Sequence, residues 1–398
     1  MSDERWATPR GRRARGEDAG LAGDGRGRGP CGRRATGGER RKALVPGAWC
    51  LVSGARCLVS GARCLAPYHR PVHYFVTGAT GFLGGYVTAE LLDGGHMVTA
   101  LVADRDQARD IAEYGVRPHI GTLSEKEALR RGLRHVDGVF HVAGHRIGFA
   151  ERKTAEAVNV TGTRNVLELV REHGIHRVVV TSTLGVFSDT GGEVVDENHR
   201  FTGDHITAYD RIKARVHYEV ALPMMEKGLP AVLLMPGAIY GPRDTSLMAD
   251  VLTRYLLGRA RFVSAGTAYC WAHVEDVARA HLQAMQFGRS GESYIVGGEP
   301  HTVREVLTRA GRLVGRRLPP IPLPPWAVWP AAAATRAVSA VVPPLRPTAD
   351  RLRVAMGATY LGSDAKARAE LGFTPRTLDE GLPGAVEWLL RDRFEAVD

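Results

Sequence analysis

The chain has 398 residues, enough for one large or two modest domains, and most of its net charge of +10 sits in residues 1–70, where 15 Lys/Arg face 6 Asp/Glu. The near-neutral remainder gives no electrostatic support to a nucleic-acid-binding body. No uncharged apolar run reaches the roughly 18 residues of a membrane span; Trp326–Leu345 comes nearest but contains Arg336 and three prolines, and reads as an amphipathic cover over a substrate pocket.

Residues 1–70 are rich in Arg and Gly and poor in apolar residues until about Ala43, the composition of a disordered tail. Within them Cys50-Leu-Val-Ser-Gly-Ala-Arg56 recurs as Cys57-Leu-Val-Ser-Gly-Ala-Arg63, and Cys64-Leu65 begins a third copy. That cysteine spacing is not a zinc pattern, and no metal site is expected. The repeat reads as a duplication without function, or as sequence ahead of the true start. No apolar core of a secretory signal follows the basic run. Lone Cys270 in the remainder suggests a reducing, cytoplasmic setting.

From Val72 onward strand and helix signals alternate. Apolar runs predict strands at Val72–Thr77, Met97–Val102, Gly138–His141, Arg177–Ser182, Ala231–Met235 and Ser293–Val296. Helical periodicity marks Gly81–Asp93, Glu125–Gly132, Ala155–His173 and Tyr209–Lys227. Val178-Val-Val and Val232-Leu-Leu do not alternate, as in strands buried on both faces. The expected fold is α/β, a Rossmann-type doubly wound parallel sheet over 71–242. A helix at Ser246–Leu257, proline-rich Leu318–Pro325 and a helical C-terminus predict a small substrate-binding cap over 243–398, with about 271–298 returning to the sheet.

Three glycines spaced G-x-x-G-x-x-G, Gly78, Gly81 and Gly84, follow the first strand and open the first helix. That context is the one a dinucleotide fingerprint requires. Gly78 permits the tight turn, Gly81 the approach of a pyrophosphate, and Gly84 the packing of helix on strand. The free N–H groups of the helix start would meet the phosphates. Thr80, Phe82 and Leu83 complete the expected cofactor-binding loop.

Tyr209 and Lys213 form a Y-x-x-x-K pair, four residues apart on one helical face. A free phenol, with a pKa of about 10, is a poor base near neutrality. An adjacent ammonium lowers that value and suits the phenol to proton exchange with a secondary alcohol. Upstream, Ser182 and Thr183 place hydroxyls at the end of a predicted strand, where one could hold a substrate oxygen. Such a Tyr/Lys pair is common by chance; its order and distance after the glycine motif make the catalytic reading.

With these motifs the chain resembles an extended short-chain dehydrogenase/reductase of the NAD-dependent epimerase/dehydratase superfamily. The resemblance runs from about Val72 to the C-terminus. It includes His141-Val-Ala-Gly144, Asn159-Val-Thr-Gly-Thr163, Pro236-Gly-Ala-Ile-Tyr-Gly-Pro242, Trp271-Ala-His-Val-Glu-Asp-Val277 and Lys366-Ala-Arg-Ala-Glu-Leu-Gly-Phe373. It implies Tyr209 as acid/base, Lys213 on the nicotinamide ribose, and Thr183 as the catalytic hydroxyl with Ser182 as the fallback. It places Val142, Ala143, Gly144, Pro236 and Gly237 against the cofactor. Trp271, Val277 and His273 read as packing residues, and His145 and Arg146 as candidates to line the pocket.

The resemblance also narrows the reaction. Leu184-Gly185 stands where related 4,6-dehydratases carry an Asp-Glu pair, and Tyr269-Cys270 where nucleotide-sugar epimerases carry Arg-Asp. The dihydroflavonol-reductase and 3β-hydroxysteroid-dehydrogenase branch remains. It implies an oxidoreductase that moves hydride between nicotinamide and a ketone or secondary alcohol of a hydrophobic small molecule. The alternatives are a nucleotide-sugar epimerase and a non-enzymatic dinucleotide sensor. For the cofactor, Asp104 lies 20 residues past Gly84, the distance of an acid that meets a ribose 2′-hydroxyl, whereas Arg105 suits a 2′-phosphate. Val102 cannot accept a hydrogen bond, which favours NADP over NAD. The helices Ala155–His173 and Tyr209–Lys227 resemble the family's dimer surface and imply a homodimer.

Overall fold

A computed structural model describes residues 71–144, 155–316, 320–342 and 345–395. Its strands are β1 (His73–Thr77), β2 (Met97–Val102), β3 (Arg117–Ile120), β4 (Gly138–His141), β5 (Arg177–Thr181), β6 (Ala231–Pro236), β7 (Ala238–Tyr240), β8 (Phe262–Ser264), β9 (Ala268–His273), β10 (Ser293–Val296), β11 (Pro300–Thr302), β12 (Ile321–Leu323) and β13 (Thr359–Tyr360). The α-helices are α1 (Phe82–Asp93), α2 (Arg105–Ala112), α3 (Lys126–Gly132), α4 (Gly162–Glu172), α5 (Ala208–Arg215), α6 (Leu222–Glu226), α7 (Leu247–Leu256), α8 (Val274–Phe287), α9 (Val303–Leu313), α10 (Pro325–Val341), α11 (Arg346–Val354), α12 (Ala365–Leu371) and α13 (Leu378–Glu395).

Seven strands form one parallel sheet in the order β10-β6-β5-β4-β1-β2-β3. The chain winds outward from β1 through β2 and β3, then returns to place β4 on the other side of β1. The crevice above the β1–β4 boundary is therefore the topological switch point, where ligands bind in such sheets. All six predicted strands are present within a residue at either end. β3 was not expected, because Arg117-Pro-His-Ile is an exposed edge with neither an apolar run nor alternation. α2 was also missed; its single buried residue, Ile111, gives almost no periodic signal.

Both faces of the sheet are covered. Leu83, Val87 and Leu91 of α1 join Val277 and Ala284 of α8 in one core, and Leu129, Val166, Leu167 and Val170 of α3 and α4 fill the other. Helix α4 is preceded by a π-turn at Ala157–Thr161, and α5 is followed by another at Val216–Ala221. Each predicted long helix in these regions is thus interrupted. A third core gathers Tyr240, Leu252, Trp271, Val306, Leu382 and Val386 around β9, which pairs with β7, β11 and β13.

The cover expected at Trp326–Leu345 forms α10, but Trp326 and Trp329 are 77% and 63% exposed. They face solvent rather than a pocket.

Candidate active site

Loops from β1 and β4 meet at the switch point. Gly78 has φ +77°, a conformation that favours glycine. A Cβ there would come within 2.7 Å of the Ala143 backbone, so the turn can close only on a bare Cα. A methyl on Gly84 would overlap the Gly78 carbonyl, which is why α1 can start so near the strand. Gly81 meets only that carbonyl, at 3.2 Å, and caps α1 with no side-chain bond and no acidic residue in the first turn. This is a backbone cradle with unspent N–H donors, and it fits a dinucleotide pyrophosphate.

His141, the last residue of β4, is buried. Its Nδ1 lies 2.8 Å from Thr77 Oγ1 and its Nε2 2.9 Å from Thr163 Oγ1. Burial, with help from the Lys213 charge, lowers its pKa to about 3, so it is a neutral brace between β1, β4 and α4. The Ala143 N–H donates to the same Thr77 hydroxyl at 3.3 Å. Val142, Ala143 and Gly144 therefore line the crevice opposite the glycine turn.

The Thr207 hydroxyl caps α5 by accepting from the Asp210 N–H at 3.0 Å. Tyr209 is half-buried on the first turn of α5. One turn on, Lys213 is 6% exposed and donates from Nζ to the Thr181 carbonyl at 2.9 Å. The same Nζ is 3.6 Å from where a Cβ on Gly144 would stand, and Asn159 Oδ1 is 3.5 Å from it. Lys213 thus reaches the ends of both β4 and β5. Burial pulls its pKa down to about 8.

The two candidate hydroxyls at the end of β5 differ. Ser182 Oγ is buried 3.0 Å from His217 Nδ1. Thr183 Oγ1 accepts from the Gly185 N–H at 3.1 Å and is less buried, and its own proton is not used in that bond. Thr183 is thus the less enclosed of the two hydroxyls.

The remaining sequence candidates lie at element ends, caps and close packing contacts. Asp104 caps α2, its Oδ1 accepting from the Asp106 and Gln107 N–H groups at 3.0 and 2.9 Å. Arg105, the exposed first residue of α2, lies at the end of β2. Pro236 ends β6, and a Cβ on Gly237 would overlap the Cys270 carbonyl where β9 crosses. Trp271 is buried with Nε1 3.0 Å from the His301 carbonyl, and His273 caps α8. His145 and Arg146 lie outside the described residues. No group of three or more potential ligands capable of holding a metal is found among the described residues.

Sequence reasoning assigned no role to Asn159, His141, Asp210 or Tyr360. Asn159 sits in the π-turn before α4, and its Nδ2 donates to the Ala155 carbonyl at 2.8 Å. Such turns often mark functional positions, but a π-turn leaves no reliable sequence signal. Asp210 is 5% exposed and accepts from the Tyr360 hydroxyl at 3.1 Å. Burial pushes its pKa up to about 6.

The sequence profile of the NAD-dependent epimerase/dehydratase family matches residues 74–297. A ketoreductase of 4-hydroxy-2-methyl-3-oxo-4-farnesyl-3,4-dihydroquinoline-1-oxide from Stigmatella aurantiaca is 32% identical over 316 residues, which are 77% of this chain and 94% of that protein. Among solved structures, gox2253 is 29% identical with a TM-score of 0.72, covering 81% of this chain and 99% of its own. The UDP-glucose 4-epimerase of Thermus thermophilus in complex with NAD is 25% identical with a TM-score of 0.62, covering 80% and 99%.

Proposed function

The chain belongs to the NAD-dependent epimerase/dehydratase family, and on that premise we propose that it is an NAD(P)-dependent ketoreductase acting on a hydrophobic ketone or the matching secondary alcohol. The observation that carries this reading is the position of Lys213 Nζ between the Thr181 carbonyl at the end of β5 and Gly144 just past β4, with Tyr209 one helical turn away on α5.

Gly78, Gly81 and Gly84 with the start of α1 would hold the pyrophosphate, and Val142 to Gly144, Lys213, Pro236 and Gly237 the nicotinamide half. The bound nicotinamide would supply or accept the hydride. Thr183 donates a hydrogen bond to the substrate oxygen, polarising the carbonyl. Tyr209 gives its phenolic proton to that oxygen in reduction and recovers it in oxidation. The Lys213 ammonium stabilises the phenolate so formed. Its lowered pKa means that this support weakens as pH rises past about 8 in the free protein.

The substrate class rests on the relative that acts on a farnesyl-bearing ketone. Arg105 at the end of β2 supports NADPH over NADH. Likeness to the Thermus epimerase keeps sugar epimerisation as the second reading.

The test is turnover of sterol-like and prenylated ketones, followed as NADPH and NADH absorbance, with and without UDP. Ketone-dependent NADPH oxidation that Tyr209→Phe abolishes supports the proposal. Inhibition by UDP with no net change in reduced cofactor would replace it with epimerisation. Equal use of both cofactors, unchanged by Arg105→Ala, rejects the role given to Arg105.

A further inference from the structure

Helix α10 is built the wrong way round for a surface helix. Its inward residues, Val328, Ala332 and Ser339, are small, whereas its bulkiest side chains, Trp326 and Trp329, stand 77% and 63% exposed, with Val338 at 48%. A water-facing helix normally turns charged residues outward. Here Arg336 is the only charged residue in 17. The patch continues beyond the helix. Phe262 of β8 and Ile321 of β12 are register partners, and both are exposed just ahead of α10. Soluble proteins seldom leave so much contiguous apolar surface uncovered.

We propose that this face seats on an anionic phospholipid surface, with α10 lying in the plane of the interface. Charge chooses this occupant. Residues 312–354 hold seven arginines and one acidic residue, Asp350. Arg312, Arg336, Arg346 and Arg351 among them are exposed. A second copy of the same face would set arginine against arginine, which costs binding, whereas anionic headgroups match it. Exposed tryptophans beside arginines suit the headgroup boundary, where indole buries its ring and keeps its N–H wet. No described helix is long and apolar enough to cross a membrane, so the contact is interfacial.

The experiment uses the full chain with vesicles of phosphatidylcholine alone and of phosphatidylcholine mixed with phosphatidylglycerol. Binding is read by co-sedimentation and by quenching of tryptophan emission with brominated lipid. The protein is expected to prefer the anionic vesicles, with quenching and with binding that falls as salt rises. W326S/W329S should lose about tenfold in partitioning, and R336E/R351E should lose the preference for phosphatidylglycerol, both with unchanged thermal melting. Absence of binding to the anionic vesicles overturns the proposal. So does wild-type binding by the tryptophan variant, which would move the contact to basic residues 1–70. A concentration-dependent dimer dissolved by W326S/W329S would show that a second copy covers the face instead.

Discussion

The Asp210 carboxylate occupies the space that a side chain at position 185 would need: a methyl group built on Gly185 would overlap Asp210 Oδ1. Gly185 is the second residue of the short 3-10 turn Leu184–Phe187 that follows Thr183, and Asp210 follows Tyr209 on α5. The absence of an acid after Thr183, noticed as a gap in the sequence, is thus matched by a buried carboxylate from the neighbouring helix. It is held by Tyr360 and cannot share the space.

Gly185→Ala should therefore destabilise the protein by about 1–3 kcal/mol through overpacking. Gly185→Ala combined with Asp210→Ala should cost less than the sum of the single changes. Urea denaturation of the three variants measures this, and strict additivity would mean that the overlap relaxes without cost.

Tyr209→Phe should lower kcat by about 10²–10⁴-fold with little change in the Kd of the reduced cofactor. Thr183→Val should lower kcat by about 10²-fold. Ser182→Ala, which strands buried His217, should act on melting temperature more than on rate. Steady-state kinetics alongside thermal melts separates the two hydroxyls; a larger rate loss from Ser182→Ala would reverse their assignment.

Gly84→Ala should abolish dinucleotide binding or folding, since its methyl group would overlap the Gly78 carbonyl. Gly95→Ala serves as the contrast. Unlike Gly84 it has positive φ, but open space surrounds it, so its cost should be stability alone. Equilibrium binding of NADPH by fluorescence tells them apart.

Acid should unfold the protein in a defined window. Burial lowers the pKa of His141 to about 3 and of His217 and His281 to about 4. In the unfolded chain all three protonate near pH 6.5. Between those values the unfolded state binds more protons, so the stability present above pH 6.5 is lost as pH falls toward 4. Asp210 opposes one of the three. Raised to about 6, it favours the folded state below 3.8 and loses that contribution as pH rises through 6. For these four groups the net is about two protons, or roughly 2.7 kcal/mol per pH unit. Asp210→Asn should steepen the fall. Urea midpoints taken from pH 7 downward check the slope, and a flat profile would contradict the buried neutral histidines.

The main sheet was legible because its strands are uninterrupted apolar runs and its first turn carries three glycines. The Tyr209–Lys213 pair was legible because four residues make one helical turn. What escaped depends on tertiary placement. Asp210 reads as a solvent-facing charge until β13 lays Tyr360 against it. Asn159 needs a π-turn to aim it, and the strands β7, β8 and β11 to β13, of two or three residues each, are too short for periodicity to register. Asp104 shows a role the spacing does not announce: beside the ribose contact expected from its distance to the glycines, its carboxylate caps α2.

β13 is a two-residue strand near the end of the described chain, yet it ties several parts of the site together. Asp189 accepts from the Thr359 N–H and hydroxyl, Thr190 bonds Thr359, Tyr360 reaches Asp210, and the Gly362 N–H meets Cys270 Sγ. A chimera that exchanges the C-terminal half for a relative's would carry off the strut beneath α5, the helix that bears the proposed acid/base Tyr209. Such an exchange will keep α5 in place only if the donor brings its own tyrosine and threonine at those two positions, so the C-terminal half of this chain cannot be treated as an interchangeable module.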